Sequence, residues 1–194
     1  MKKFFIILLL SYFSLANSEE IKDFQINGIS LGDSALDHFK LSEIKKNEIN
    51  KITYPDSNYS SISLNSNNGN FDALQITYND FDPKYKILSI AGRIIFEKKN
   101  TIACKKKMNK ILNDLQNSFE DMKYVQEDTP YYYDKLGKSM TYGYVFYLKR
   151  GAIDLYCSDL SNEYMKATGH TDDLRLVLHS HEVRKYLTER FKKR

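Results

Sequence analysis

Tryptophan is absent from this 194-residue sequence, and proline and glycine are scarce, with three and eight residues respectively. Lys, Asn, Ile and Tyr are abundant instead, a bias that is typical of AT-rich coding and favours a bacterial source. Beyond the N-terminal segment, no apolar run approaches the roughly 20 residues of a membrane-spanning helix, so the sequence predicts none there. No cysteine lies directly after the N-terminal apolar run, which argues against a lipoprotein.

The first 18 residues have the pattern of a cleavable secretory signal peptide. Two lysines precede an apolar stretch from Phe4 to Leu15, and Ala16-Asn17-Ser18 places small residues at the −3 and −1 positions. We expect cleavage before Glu19, a single globular domain over 19–194, and a periplasmic or extracellular location without a stable membrane anchor. An uncleaved N-terminal anchor is the alternative.

The basic excess of the chain largely disappears when the signal peptide is removed. Without Lys2 and Lys3, 27 of the 29 basic residues remain against 25 acidic ones, a net charge near +2. A nucleic-acid-binding protein needs a concentrated basic surface, whereas the clusters here are small, at 105–107 and 192–194. We interpret both as solvated helix faces or ends and expect no nucleic-acid partner. An anionic partner at 105–107 is the alternative.

The two cysteines are predicted to form a disulfide. Exported chains meet an oxidising compartment, and Cys104 and Cys157 both lie on apolar faces, one of a predicted helix and one of a predicted strand. Two buried free thiols are the alternative.

Hydrophobic periodicity predicts an α+β fold: an antiparallel sheet of about six strands with helices packed on one face. The order of the elements is compatible with two tandem α-β-β-β units. The clearest helix has apolar residues every three or four positions. The predicted elements are a lead-in strand at 21–31, helices at 34–47, 101–121 and from 180 onward, strands at 51–65, 72–78, 85–97, 142–148, 153–157 and 174–178, and polar loops at 123–139 and 159–172.

The tripeptide Gly32-Asp33-Ser34 is similar to the nucleophile motif of the SGNH hydrolases, a resemblance that implies a catalytic role for Ser34. Such a serine needs a histidine base and usually an acid. The D-x-x-H motif of that family is absent near the C-terminus, and the predicted antiparallel sheet differs from the family's parallel one. The spacing of Ser34 and Asp37 instead fits a capping box. A serine hydrolase using Ser34 is therefore the alternative, and we predict no catalytic residue.

The pair His179 and His181 could bind a metal ion together with His170 or an acidic residue, because alternate strand positions share a face. The simpler interpretation is a strand end that passes into a helix. We predict no metal site and no cofactor.

Three consecutive tyrosines, Tyr131, Tyr132 and Tyr133, follow Pro130 in a predicted loop. Exposed tyrosines are common in recognition surfaces, since each offers a rigid ring and a polar tip. The alternative is a loop that folds its rings onto the sheet edge.

Residues 24–39, FQINGISLGDSALDHF, follow the pattern F-x-I-x-G-I-S-x-G-D-S-x-L-D-x-F. The pattern resembles a family of exported proteins of small-genome, AT-rich marine bacteria, and the resemblance extends through 89–92, 104–107, 135–139 and 174–176. Ala35 departs from the usual Leu. This resemblance implies export and brings no activity. The lead into the first helix is also similar to outer-membrane assembly lipoproteins and β-lactamase-inhibitor-like repeats, which implies protein binding.

Together these patterns favour an exported, non-enzymatic binding module. Its ligand is expected to be an envelope protein, a peptide or a small molecule. A purely structural envelope component is the remaining alternative.

Overall fold

A computed structural model describes residues 21, 24–66, 70–96, 99–118 and 123–192. The predicted signal peptide, residues 1–18, and the predicted end of the second helix, residues 119–121, lie outside this part of the chain. Among the described helices, none combines the length and the hydropathy needed to cross a membrane.

In the described part of the chain, eight strands form one antiparallel sheet. The strands are β3 (Ile52–Thr53), β4 (Tyr59–Asn65), β5 (Ala73–Asn79), β6 (Ser89–Ile95), β7 (Tyr124–Pro130), β8 (Met140–Leu148), β9 (Gly151–Asp159) and β10 (Asp173–Ser180). Their spatial order is β3-β4-β5-β6-β10-β9-β8-β7, which corresponds to two consecutive four-strand meanders that meet at β6 and β10. The structure thus confirms the predicted α+β class, with eight strands instead of about six.

The predicted lead-in strand is a two-stranded hairpin of β1 (Gln25–Ile26) and β2 (Ile29–Ser30). Its turn residues Asn27 and Gly28 have φ angles of 53° and 78°. Asn-Gly is the pair that favours two positive φ angles in a tight hairpin.

Helices pack on both faces of the sheet, so the prediction of one covered face is wrong. On one face lie α1 (Leu41–Glu48) against β4 and α2 (Thr101–Ser118) against β9 and β10. Helix α4 (His181–Lys192) bonds Asp154 through Arg184. Because side chains alternate along a strand, Asp154 lies on the opposite face of β9 from Cys157, which is bonded to α2. We call these the α2 face and the α4 face.

Two predicted loops contain regular structure. The first half of the predicted loop 123–139 is the strand β7. Its seven residues are all exposed, so its sequence lacks the alternation of apolar and polar residues that predicts a strand. Helix α3 (Asn162–Thr168) lies within the predicted loop 159–172. It begins with a Ser161 cap on the Tyr164 N–H and ends at Gly169 with φ 71°.

The apolar core lies on the α2 face. Alternate residues of the central strands point there and are almost fully buried, at roughly 1.5–3 kcal/mol per large side chain. Its largest fully buried members include Ile62, Leu64, Ile76, Tyr78, Ile90, Phe146, Ile153 and Leu155.

The predicted disulfide is present within this core. Cys104 of α2 and Cys157 of β9 are bonded, with Cα atoms 5.9 Å apart and no exposed surface on either residue. The bond joins α2 to the centre of the sheet.

Candidate functional site

Four tyrosines form a continuous aromatic cluster at one end of the sheet, which we call the tyrosine surface: Tyr131, Tyr132, Tyr133 and Tyr164. Ring centroids lie 4.9 Å apart for Tyr132 and Tyr133, 5.8 Å for Tyr131 and Tyr133, and 5.5 Å for Tyr131 and Tyr164. Tyr132 is 47% exposed and Tyr133 is 62% exposed, whereas Tyr131 is half-buried. One ring of the three consecutive tyrosines therefore folds inward and two face solvent, and their role in recognition stays a prediction.

The carboxylate of Asp134 holds the loop that carries these rings. Its Oδ2 accepts hydrogen bonds from the backbone N–H of Ser139 at 2.9 Å, the Ser139 hydroxyl at 2.6 Å and the Ser161 hydroxyl at 3.2 Å. Its Oδ1 accepts from the Leu136 N–H at 3.0 Å. The Ser139 hydrogen bond is the main cause that lowers the pKa of Asp134. The tyrosines are thus presented by a loop whose backbone is closed by a single side chain.

Replacing Asp134 with Ala is expected to loosen this loop without unfolding the domain. The Leu136 and Ser139 amides lose their acceptor, so their hydrogen exchange should accelerate by about tenfold or more. Mass-spectrometric exchange of peptides covering 131–139 measures this. Asp128→Ala, on the exposed strand β7, is the matched control and should leave those peptides unchanged. Equal exchange in both variants would show that Asp134 does not hold the loop.

Behind the tyrosine surface, two arginines share one carboxylate on the α4 face. Asp173 Oδ2 accepts from Arg93 Nε at 2.9 Å, Arg93 Nη2 at 2.6 Å and Arg175 Nε at 2.8 Å. Burial alone would raise the pKa of Asp173, but Arg175 and Arg93 outweigh it and hold that pKa below its usual range. Asp173 Oδ1 is buried and lacks a hydrogen-bond partner in the described part of the chain.

The tyrosine surface and the arginine pair are electrostatically coupled. Burial raises the pKa of Tyr131, and the Arg175 charge opposes that rise. Desolvation likewise raises the pKa of Tyr133, Tyr54 adds to the rise, and Arg175 opposes it. The Tyr156 ring lies 5.9 Å from the Arg175 guanidinium on the same face. The phenol groups of Tyr131 and Tyr133 therefore lie near the positively charged guanidinium of Arg175.

Ser34 acts as a cap, as the sequence predicted. Its hydroxyl donates to the Lys84 carbonyl at 2.7 Å and accepts from the Leu36 N–H at 3.2 Å, instead of from Asp37. It caps only the short 3-10 segment Ala35–Asp37, and α1 begins later, at Leu41. The nearby His38 bonds Asp33 at 2.9 Å. Among the described residues, no histidine hydrogen-bonds Ser34.

The structure brings together a different Ser-His-Asp set that sequence reasoning missed. Ser89 Oγ lies 3.0 Å from His179 Nδ1, and His179 Nε2 lies 3.5 Å from Asp154 Oδ2. Ser89 is only 3% exposed, in the middle of the sheet, where its neighbouring amides serve the strand ladder. A nucleophile needs substrate access and free oxyanion donors, and this set has neither. It anchors α4 instead, because Asp154 also accepts from Arg184 at 2.8 Å.

The two histidines considered as metal ligands have different environments. His179 is buried against Ser89, whereas His181 starts α4 and is exposed. Within the described ranges, no group of three His, Cys, Asp or Glu side chains is arranged to hold a metal ion.

The basic cluster at the start of α2 has an aromatic partner. Lys105 Nζ lies 3.2 Å from the centroid of the Tyr142 ring, a cation–π contact. Lys106, Lys107 and Lys110 are exposed.

Two open depressions, of about 570 and 310 Å³, flank Phe81 at the opposite end of the sheet from the tyrosine surface. Both are shallow and lined mainly by polar side chains. The larger contains the ion pairs Lys51–Asp80 and Lys45–Glu48. Its remaining carboxylate, Asp82, accepts from the backbone N–H groups of Lys84 and Lys86, so the charged groups already have partners within the chain. The tyrosine surface groups several rings on one ordered loop, two of them substantially exposed, and is the stronger candidate.

Comparison with known proteins gives no family to guide this choice. No protein family, curated protein or solved structure matches the chain.

Proposed function

We propose that the protein is an exported, non-enzymatic binding module that contacts its ligand through the tyrosine surface. One observation carries the proposal: Tyr132 and Tyr133 are exposed on a loop that Asp134 holds in place. In the proposal the mature chain begins at Glu19 and works in the periplasm or outside the cell.

The physics of recognition supports this assignment. Tyrosine offers a large contact area with few rotatable bonds, so a partner loses little conformational entropy by ordering it. The Asp134 hydrogen bonds reduce that cost further, since they order the loop before binding. The resemblance of the sequence to small envelope modules also implies protein binding, as a fold-level analogy.

Replacing both Tyr132 and Tyr133 with Ala is expected to abolish ligand capture while leaving the fold intact. Tyr132 is 47% exposed and Tyr133 is 62% exposed, so little core packing is lost. A tyrosine that is a hot spot at the centre of an interface contributes about 2 kcal/mol or more to binding, about 30-fold in affinity. The mature protein and the double variant are immobilised in parallel and exposed to envelope extract, and the captured species are quantified by mass spectrometry.

Phe81→Ala is the matched control, because Phe81 is 78% exposed and lies at the other end of the sheet. Species captured by the wild type and by Phe81→Ala, but lost with the double variant, support the tyrosine surface. A capture profile unaffected by the double substitution, or lost equally with Phe81→Ala, would contradict it.

A further inference from the structure

We propose that the ligand of the tyrosine surface is an acidic peptide segment whose carboxylates bind Arg175 and Arg93. This inference rests on the proposed function and assigns a chemical class to its ligand. It is carried by the cluster of Arg93, Asp173 and Arg175 on the α4 face, which we call the ion triplet and which lies near the aromatic rings.

The triplet presents positive charge outward. Two guanidinium groups share one carboxylate, which leaves one positive charge uncompensated within the cluster. The Asp173 side chain is 2% exposed, whereas those of Arg93 and Arg175 are 24% and 21% exposed. The accessible part of the cluster therefore belongs to the two arginine side chains, not to the carboxylate that they share. Asp154, another carboxylate on this face, is paired with Arg184.

The surroundings strengthen an attraction to anions. The Arg175 side chain is only 21% exposed and its guanidinium lies 5.9 Å from the Tyr156 ring centroid, and a charge pair gains more in such a partly desolvated place than in open solvent. Arg175 is also close enough to Tyr131 and Tyr133 to act on the pKa of both phenols. A guanidinium matches the planar geometry of a carboxylate with two parallel hydrogen bonds. The Tyr131 and Tyr133 phenols lie on the same side and can pack against the peptide backbone.

Ring geometry favours a peptide over an acidic polysaccharide. Neighbouring rings are inclined by 58° to 80°, so they form crevices and edges instead of one flat platform. A sugar ring stacks best on an open, flat aromatic face, whereas backbone and side chains of a peptide fit between inclined rings. Carboxylates on alternate residues of an extended peptide would then reach the arginines.

The test measures binding of fluorescein-labelled decapeptides to the folded mature protein by anisotropy. The peptide (Gly-Glu)₅ is expected to bind at least about tenfold more tightly than (Gly-Gln)₅ at low salt, and added salt should narrow the difference. Equal affinity of the two peptides would overturn the inference. Polygalacturonate that competes more strongly than (Gly-Glu)₅ would overturn the choice of a peptide.

Two substitutions locate the binding. Arg175→Gln and Arg93→Gln should each weaken (Gly-Glu)₅ binding about fivefold or more. The control Lys107→Gln, at an exposed position of α2 on the opposite face of the sheet, should leave binding unchanged. If circular dichroism shows that Arg175→Gln does not fold, the test rests on Arg93→Gln and on the comparison of the two peptides with the wild-type protein. Retained binding in Arg93→Gln would contradict the proposed site. Loss of capture with the Tyr132 and Tyr133 variant, but no preference for glutamate, would leave the proposed function intact and refute only the acidic ligand.

Discussion

Asp173→Asn is expected to lower the free energy of unfolding at pH 7 by about 3 kcal/mol, because it leaves two neighbouring guanidinium groups without a counter-charge in a largely buried site. The side chain is 2% exposed and accepts three hydrogen bonds from Arg93 and Arg175. Both arginines keep some solvent contact, which places the loss at the lower end of the range for breaking a buried pair. Thermal unfolding should shift by roughly 10 °C for a domain of this size.

The same substitution has a characteristic pH dependence. The arginines hold the pKa of Asp173 below its value in the unfolded chain, despite the opposing effect of burial. A depressed folded-state pKa contributes stability that is present above the unfolded pKa, near 4, and is lost as the pH falls. The stability difference between wild type and Asp173→Asn should therefore be constant from pH 7 to about 5 and shrink below about pH 4.

Chemical denaturation across this pH range measures both effects. Asp56→Asn is the matched control, because Asp56 is exposed and its φ of 59° suits Asp and Asn alike. It should change stability by less than about 0.5 kcal/mol. A loss at pH 7 no larger than that of Asp56→Asn, or a difference that grows in acid, would show that the triplet does not stabilise the fold.

Strong hydrophobic periodicity made most of the sheet and α2 predictable from the sequence. The predicted helix at 101–121 and the observed helix Thr101–Ser118 begin at the same residue. The helix was predictable because Cys104, Met108 and Leu112 recur every four positions and form one buried face. Strand β7 has no buried face, and only its pairing with β8 makes it a strand. The helix α3 was signalled by Ser161 and Gly169, two capping residues within a polar stretch that hydrophobic periodicity does not detect.

The candidate site was only partly predictable, for a different reason. Consecutive tyrosines are visible in a sequence, but their exposure depends on the conformation of the loop that carries them. That conformation depends on the hydrogen bond between Asp134 and Ser161, which are 27 positions apart in the chain. Arg93 of β6 bonds Asp173 of β10, and these two residues are 80 positions apart in the chain. No local sequence pattern predicts such a pairing, because the pairing depends on which strands are neighbours in the folded sheet.

Removing the Cys104–Cys157 cross-link is expected to lower the free energy of unfolding by about 3–4 kcal/mol, an effect at least as large as that of Asp173→Asn. The bond closes a loop with a sequence separation of 53 residues, and opening it returns that loop's entropy to the unfolded chain. Wild-type protein unfolded in urea with and without a reductant isolates the cross-link, since no side chain is replaced. The double variant Cys104→Ala/Cys157→Ala should match the reduced wild type, with a small further loss from core packing.

The state of the two thiols in the cell also tests the proposed compartment. Both cysteines are fully buried, so reduction requires opening of the domain, and an exported chain should retain the bond. Cells of the native host are quenched in acid and denatured, and free thiols are alkylated before mass spectrometry. Export predicts that neither cysteine is alkylated until reductant is added. Two alkylated cysteines without reductant would place the chain in a reducing compartment, where the disulfide could not support the fold and the export proposal would be refuted.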